Sequence, residues 1–176
     1  MSAKDKAWTV SLGSYRNAHA LRSALAVARV MQIGLAHELL HEKGFEVEQE
    51  ERQVNLIVRS VEQLGFTSIE SYERICARAE KRGFELCPAE LGPSLAVQSG
   101  ARLSPDVLYV GMQPMTDESG LRAIFGVGTL EGRVVLKGVY SAPRQLWNLQ
   151  TRFVFMKPHI TKGQRPATVA DLAARF

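Results

Sequence analysis

Leu121-Arg122-Ala123-Ile124-Phe125-Gly126-Val127, then Glu131-Gly132, then Arg133-Val134-Val135-Leu136-Lys137-Gly138-Val139 is the stretch that decides the fold. Two runs rich in branched and apolar residues are parted by a turn signal, which is the signature of paired strands. The gap between them is far too short for the crossover helix that a parallel pair requires, so the pairing is antiparallel. Upstream, Val107 to Met112 reads as another strand, closed by Asp117-Glu118-Ser119-Gly120. Downstream, Ala142-Pro143 precedes Arg152 to Met156, in which Phe153 and Phe155 point one way and Arg152, Val154 and Met156 the other. The second half of the chain is therefore expected to be an antiparallel β-meander. Gly126-Val127-Gly128 opens no helix, so it is not a phosphate loop and reads as a turn or bulge.

The first half reads differently. Trp8 to Leu12 is a short strand, and Asn17 an N-cap for a helical run from Ala18 to about Lys43, stopped by Gly44. Gly34 is expected to split that run. Glu46 to Arg52 is acidic and exposed, Val54 to Val58 a strand, and Val61 to Leu64 a helical turn. Ser68 to Lys81 carries Ile69, Tyr72, Ile75 and Ala79 at helical spacing, with Gly83 at its end. Glu85 to Pro93 holds two prolines and a glycine and is expected to be a shaped connection. A basic tail ends in a short helix from Val169 to Arg175. The expected architecture is α+β: an N-terminal helical layer with one or two strands, packed on the meander. A strand-helix-strand lobe (1–66), a helix-plus-meander lobe (67–160) and a tail (161–176) form one unit.

Length and composition suit one globular domain of 176 residues with 45% apolar content. Cys76 and Cys87 are too few for a disulfide framework. No signal peptide and no apolar run of membrane-spanning length is visible, so a cytoplasmic protein with no membrane contact is expected. The net charge of +4 is unevenly placed: from Arg133 onward there are eight basic residues and one acid, Asp171. Arg133, Lys137, Arg144, Arg152 and Lys157 are the candidate partner-binding residues, for an acidic protein surface or for nucleic acid. In the nucleic-acid case Tyr140, Trp147, Phe153 and Phe155 would be the stacking platforms, unless they are core.

The tract from Tyr72-Glu73-Arg74-Ile75 through Arg78-Ala79, Gly83 and Glu85-Leu86-Cys87-Pro88-Ala89-Glu90-Leu91-Gly92-Pro93 resembles an uncharacterised bacterial domain common among proteins of the Patescibacteria. The resemblance continues through Met112-Gln113-Pro114, Phe125, Trp147 and Arg152-Phe153-Val154-Phe155, and takes in Val10 to Tyr15 and Leu56 to Phe66. Gln113 stands where that family has glutamate, and Ser99 to Val107 replaces an aromatic-rich approach. The family has no established activity, so the resemblance implies architecture and no chemistry.

Three sites are candidates for chemistry. His37-Glu38-Leu39-Leu40-His41 has the spacing of a zinc-peptidase helix, with two imidazoles as ligands and Glu38 as general base. That class has a third ligand where this chain has Val47, and the histidines lie opposite the stripe Leu21, Leu25, Ala28, Leu35, Leu39 on an unbroken helix. Cys87 is either a nucleophile or a buried, inert thiol. Glu90, held between prolines, either binds a cation or ligand or accepts backbone N–H bonds within its own turn. The expected function is a small non-enzymatic binding module with no cofactor. The alternatives are a zinc-dependent hydrolase and a nucleic-acid-binding protein, and oligomeric state is left open.

Overall fold

The computed structural model describes residues 8–100, 103 and 105–158. The expected tail and its helix lie outside the described residues. Along the chain the elements are β1 (Trp8–Leu12), α1 (Ala18–Val27), β2 (Met31–Gly34), α2 (Ala36–His41), β3 (Arg52–Ser60), β4 (Glu70–Ser71) and α3 (Tyr72–Lys81). Then come α4 (Leu91–Ser99), β5 (Leu108–Val110), β6 (Met115–Thr116), β7 (Arg122–Leu130), β8 (Arg133–Tyr140), β9 (Leu146–Trp147) and β10 (Arg152–Met156). The fold is α+β. An eight-stranded, mostly antiparallel sheet runs β1-β3-β10-β5-β7-β8-β2, with β6 on β7, and β4 pairs β9 separately.

The β7–β8 hairpin forms as its sequence requires, in register from Ala123–Tyr140 to Leu130–Arg133. The meander expectation is corrected at its last strand. β10 does not follow β8 but inserts between β5 and β3, parallel to β5 and antiparallel to β3. β2 likewise joins β8 in parallel, so strands from both expected lobes interleave in one sheet. Gly126-Val127-Gly128 is strand interior rather than a turn. A Cβ on Gly126 would lie 2.8 Å from Val107 Cγ1 and 3.1 Å from Tyr109 Cδ1, so the glycine makes room for side chains lying across the strand.

The run from Ala18 to Lys43 breaks in two places. Asn17 Oδ1 accepts from Ala20 N at 2.9 Å and starts α1, which buries Leu21 and Leu25. Arg29, at φ 54°, then turns the chain into β2. Thus Gly34 does separate two helices, but the residues before it form a strand. α3 begins at Tyr72, four residues later than the expected start, because Ser71 supplies the cap and Ile69 stays exposed.

Helix α4 starts inside the segment expected to be a connection. Pro93 is tolerated in its first turn, where its missing N–H has no intrahelical partner. Leu91, Leu95 and Ala96 are buried, and a Cβ on Gly92 would meet Phe125 Cβ at 2.7 Å. Gln98 of α4 accepts from Ser11 N at 2.9 Å and donates to Ser11 O at 2.8 Å, so one side-chain amide takes the place of a further strand along the edge of β1. The α4 face of the sheet carries Val10, Leu12, Leu56, Val154, Phe125 and Leu136, all buried. The opposite face carries Tyr109, Phe153 and Phe155 beneath α3, where Tyr72 and Phe153 have ring centroids 5.8 Å apart.

Candidate functional site

Strand register decides whether the sequence-predicted cations converge. Residues paired across neighbouring strands point to the same face. Lys137 pairs Gly126, Gly126 pairs Tyr109, and Tyr109 pairs Phe153, which puts Lys137 and Arg133 on the α3 face. Arg152 pairs Leu108, which pairs Val127 and through it Leu136, so Arg152 belongs to the α4 face. There it lies 3.4 Å from Asp106 Oδ2. Arg144 sits in the exposed connection between β8 and β9, and Lys157 follows the far end of β10. The five do not form one patch. Phe153, Phe155 and Trp147 are buried, which leaves Tyr140 as the exposed aromatic of the expected set.

His37, Glu38 and His41 lie on α2 and are exposed, while Ala36, Leu39 and Leu40 face the core. The histidines are exposed as expected, but the unbroken helix from which that was argued is interrupted by β2. Their rings lie 4.3 Å apart, and His41 Nδ1 is 2.8 Å from the His37 carbonyl oxygen. They border a cavity of about 720 Å³ with Glu42, Asp117, Glu118 and Tyr140. Asp117 is committed elsewhere: its Oδ1 accepts from Ser119 N and Leu121 N at 2.9 and 2.8 Å. Val47, at the third-ligand position, is buried, and no group of three potential ligands forms among the described residues.

The shaped segment is built into the end of the sheet. Glu85 N donates to Met156 O at 2.9 Å and Cys87 N to Gly111 O at 2.7 Å, so Glu85 to Cys87 wedges between β10 and the chain leaving β5. Tyr72 closes the break beyond β5: its hydroxyl accepts from Met112 N at 2.8 Å and has the Val110 and Met112 carbonyls at 3.1 and 2.7 Å. Gln113 is exposed between cavities of about 410 and 290 Å³ that open towards Cys87 and Cys76. Glu90 is fully buried, and its carboxylate accepts from Gly13 N at 2.8 Å and Glu48 N at 2.7 Å. It does accept backbone bonds, but from two distant loops rather than from its own turn.

Both thiols are buried, and burial pushes the Cys87 thiol far up and the Cys76 thiol up to about 11. Iodoacetamide at mildly alkaline pH is therefore expected to label neither cysteine in the folded protein and both after unfolding. A raised thiol stays protonated in the folded chain while the unfolded chain ionises. Its contribution is complete below the ordinary value of 9.0 and declines as pH rises from there towards about 11. Denaturant midpoints that stay flat across that window would contradict the burial.

Sequence reasoning passed over a pair of arginines. Arg78 and Arg82 stand one turn apart at the end of α3 and reach back to the turn that follows β3. Arg78 Nη1 donates to Leu64 O at 3.1 Å and Gly65 O at 3.4 Å, and Arg82 Nη1 to Gln63 O at 2.9 Å. The Arg78 guanidinium also lies 4.4 Å from the centre of the Phe66 ring. Gly65 has φ 91°, and a Cβ there would lie 2.9 Å from Arg82 Nη2 and 3.1 Å from Arg78 Nη1. Neither arginine belongs to an ion pair among the described residues. The available signal was arginines four apart just before Gly83, which reads equally well as ordinary helix-end charge.

Arg82 also lines a groove of about 790 Å³ over the β1–β3–β10 end of the sheet, with Lys157, Arg52, Phe84, Asn55 and Glu85. Arg52 is neutralised by Glu48 at 2.6 Å. Lys157, expected from sequence to bind a partner, thus joins Arg82 rather than Arg133 and Lys137. No protein-family model, no curated protein and no solved structure matches the chain.

Proposed function

We propose that the chain is a small non-enzymatic binding module whose partner is an acidic protein surface, met along the groove that Arg82 and Lys157 line. The supporting observation is charge placement. Lys157 and Arg82 border one groove, and Arg78, also outside the ion pairs of the described residues, lies beside Arg82. A cationic groove of this kind steers an acidic partner and loses affinity as salt rises.

The test uses an acidic peptide as probe, with anisotropy followed from low to physiological salt. Reversing Arg82 and Lys157 together to glutamate is expected to weaken binding by about tenfold or more, as for charges at the centre of a contact. Reversing Arg133 and Lys137, which lie elsewhere, is expected to change it far less. Equal losses from the two double variants would point to net charge alone and sink the groove assignment. No loss from the Arg82 and Lys157 reversal would sink the reading itself.

A further inference from the structure

We infer that Arg78 and Arg82, gathered over Gly65, form a binding site for a phosphate monoester or an equivalent dianionic oxyanion. The inference deepens the acidic-partner reading and rests on it only where the phosphate is carried by that partner.

Three features of the turn carry it. The first is convergence. Arg82 Nη2 and Arg78 Nη1 both lie within 3.1 Å of the point a Cβ on Gly65 would occupy. Two full positive charges are thus held side by side, and among the described residues their hydrogen-bond partners are carbonyl oxygens, with the Phe66 ring against Arg78. Carbonyl dipoles hold guanidinium groups in place but do not neutralise them, and a dianion would.

The second feature is rigidity. Arg78 is held by two carbonyls and by the Phe66 face, and Arg82 by the Gln63 carbonyl. The ordering entropy of two long side chains is met in the folded protein before any ligand arrives. Each guanidinium has five N–H donors. Arg78 Nη1 gives both its N–H groups to Leu64 O and Gly65 O, so the donors left for a ligand are Nε and Nη2 of Arg78, together with Nε, Nη2 and one N–H of Nη1 of Arg82. The planar fork suits oxyanion geometry better than a lysine would.

The third feature is the glycine. Any side chain at residue 65 would intrude on the guanidinium nitrogens and would need φ 91°. A convergent pair matches one doubly charged group better than the evenly spaced single charges of a diester backbone, which favours a monoester over a nucleic-acid strand.

The experiment follows the Gly65 backbone amide by NMR in the intact chain during titration with inorganic phosphate, against sodium chloride at matched ionic strength. A saturable shift with phosphate and none with chloride is expected. Arg82→Gln, at an exposed residue whose loss leaves the core untouched, is expected to weaken binding about tenfold, the loss of a charged hydrogen bond. Arg78→Lys keeps the charge but not the fork and is expected to weaken it as well. Absence of a phosphate-specific shift, or unchanged affinity in Arg82→Gln, would overturn the site.

A second arm compares one acidic peptide with and without a single phosphoserine. Preference for the phosphorylated form, lost in Arg82→Gln, assigns the phosphate to a partner. Inorganic phosphate binding with no preference between the peptides supports the site and assigns it to free phosphate. If the Gly65 amide is silent while both peptides still bind through Lys157, the site is overturned and the acidic-partner reading stands. If phosphate binds and neither peptide does, the site stands and that reading falls.

Discussion

Glu90→Ala is expected to destabilise the protein by about 3 kcal/mol, since two part-buried N–H groups would lose a charged acceptor at once. The carboxylate is fully buried, and its two oxygens are divided between Gly13 N at 2.8 Å and Glu48 N at 2.7 Å. Those bonds tie the start of α4 to the exit of β1 and to the loop before β3, adding to the β1–β3 pairing and to the Gln98–Ser11 bonds. Gly13 cannot relax away cheaply, because the chain is already so close that a Cβ there would lie 2.2 Å from Glu50 O. Glu90→Gln keeps one acceptor oxygen and turns an amide donor towards the other N–H. It is expected to cost roughly half as much as the alanine change. Urea denaturation of both variants checks the order. An alanine variant within about 0.5 kcal/mol of the parent, the scatter typical of surface changes, would show that the carboxylate is not the tie it is taken to be.

The same residue shows where sequence reading stops. Glu90 between Pro88 and Pro93 announced a fixed carboxylate, and it is fixed. Its donors, however, lie 77 and 42 residues away, and no local pattern encodes them. Strands with their own turn signals were legible: β8 begins at Arg133, and β10 spans Arg152–Met156 as its alternation implies. Their order in the sheet was not, because pairing partners such as β10 with β3 are chosen by long-range packing. β2 was hidden inside a stretch of good helix formers, where four residues take strand geometry through pairing with β8. α4 was hidden for the opposite reason. It is apolar nearly all round, so it has no amphipathic period to detect, and its first turn carries glycine and proline.

The candidate sites divide in the same way. The histidines are exposed on α2 as expected, although β2 interrupts the unbroken helix from which that was argued. Whether cations converge depends on strand order. Register separates Arg152 from Arg133 and Lys137, and folding brings Lys157 to Arg82. The arginine pair over Gly65 needs a turn and a helix end brought together. Each half looked ordinary alone: a glycine after a short turn, and basic residues at a helix C-terminus.

Gly138→Ala is expected to cost about 3 kcal/mol, at the upper end of overpacking penalties, because what it meets is backbone. A Cβ on Gly138 would lie 2.4 Å from the Leu35 carbonyl carbon and 2.5 Å from Ala36 N. Leu35 N donates to Gly138 O at 3.0 Å, and Gly34 approaches that same carbonyl with φ 60°, so the two segments cannot part without losing their pairing. No side-chain truncation makes room, in contrast to Gly111, where the nearest atoms a Cβ would meet belong to the Phe155 ring. The expected relief for the chain is release of β2 and α2 from the edge of the sheet, since α2 is joined to the sheet through this junction and its packing on β8. Amides of Met31–Gly34 should then lose hydrogen-exchange protection while those of β3 and β10 keep theirs. Gly44→Ala is the matched control: nothing lies within 4 Å of its Cβ position, and it is expected to leave stability within about 0.5 kcal/mol of the parent. Wild-type protection of β2 in Gly138→Ala would mean that the sheet edge yields where its backbone contacts say it cannot.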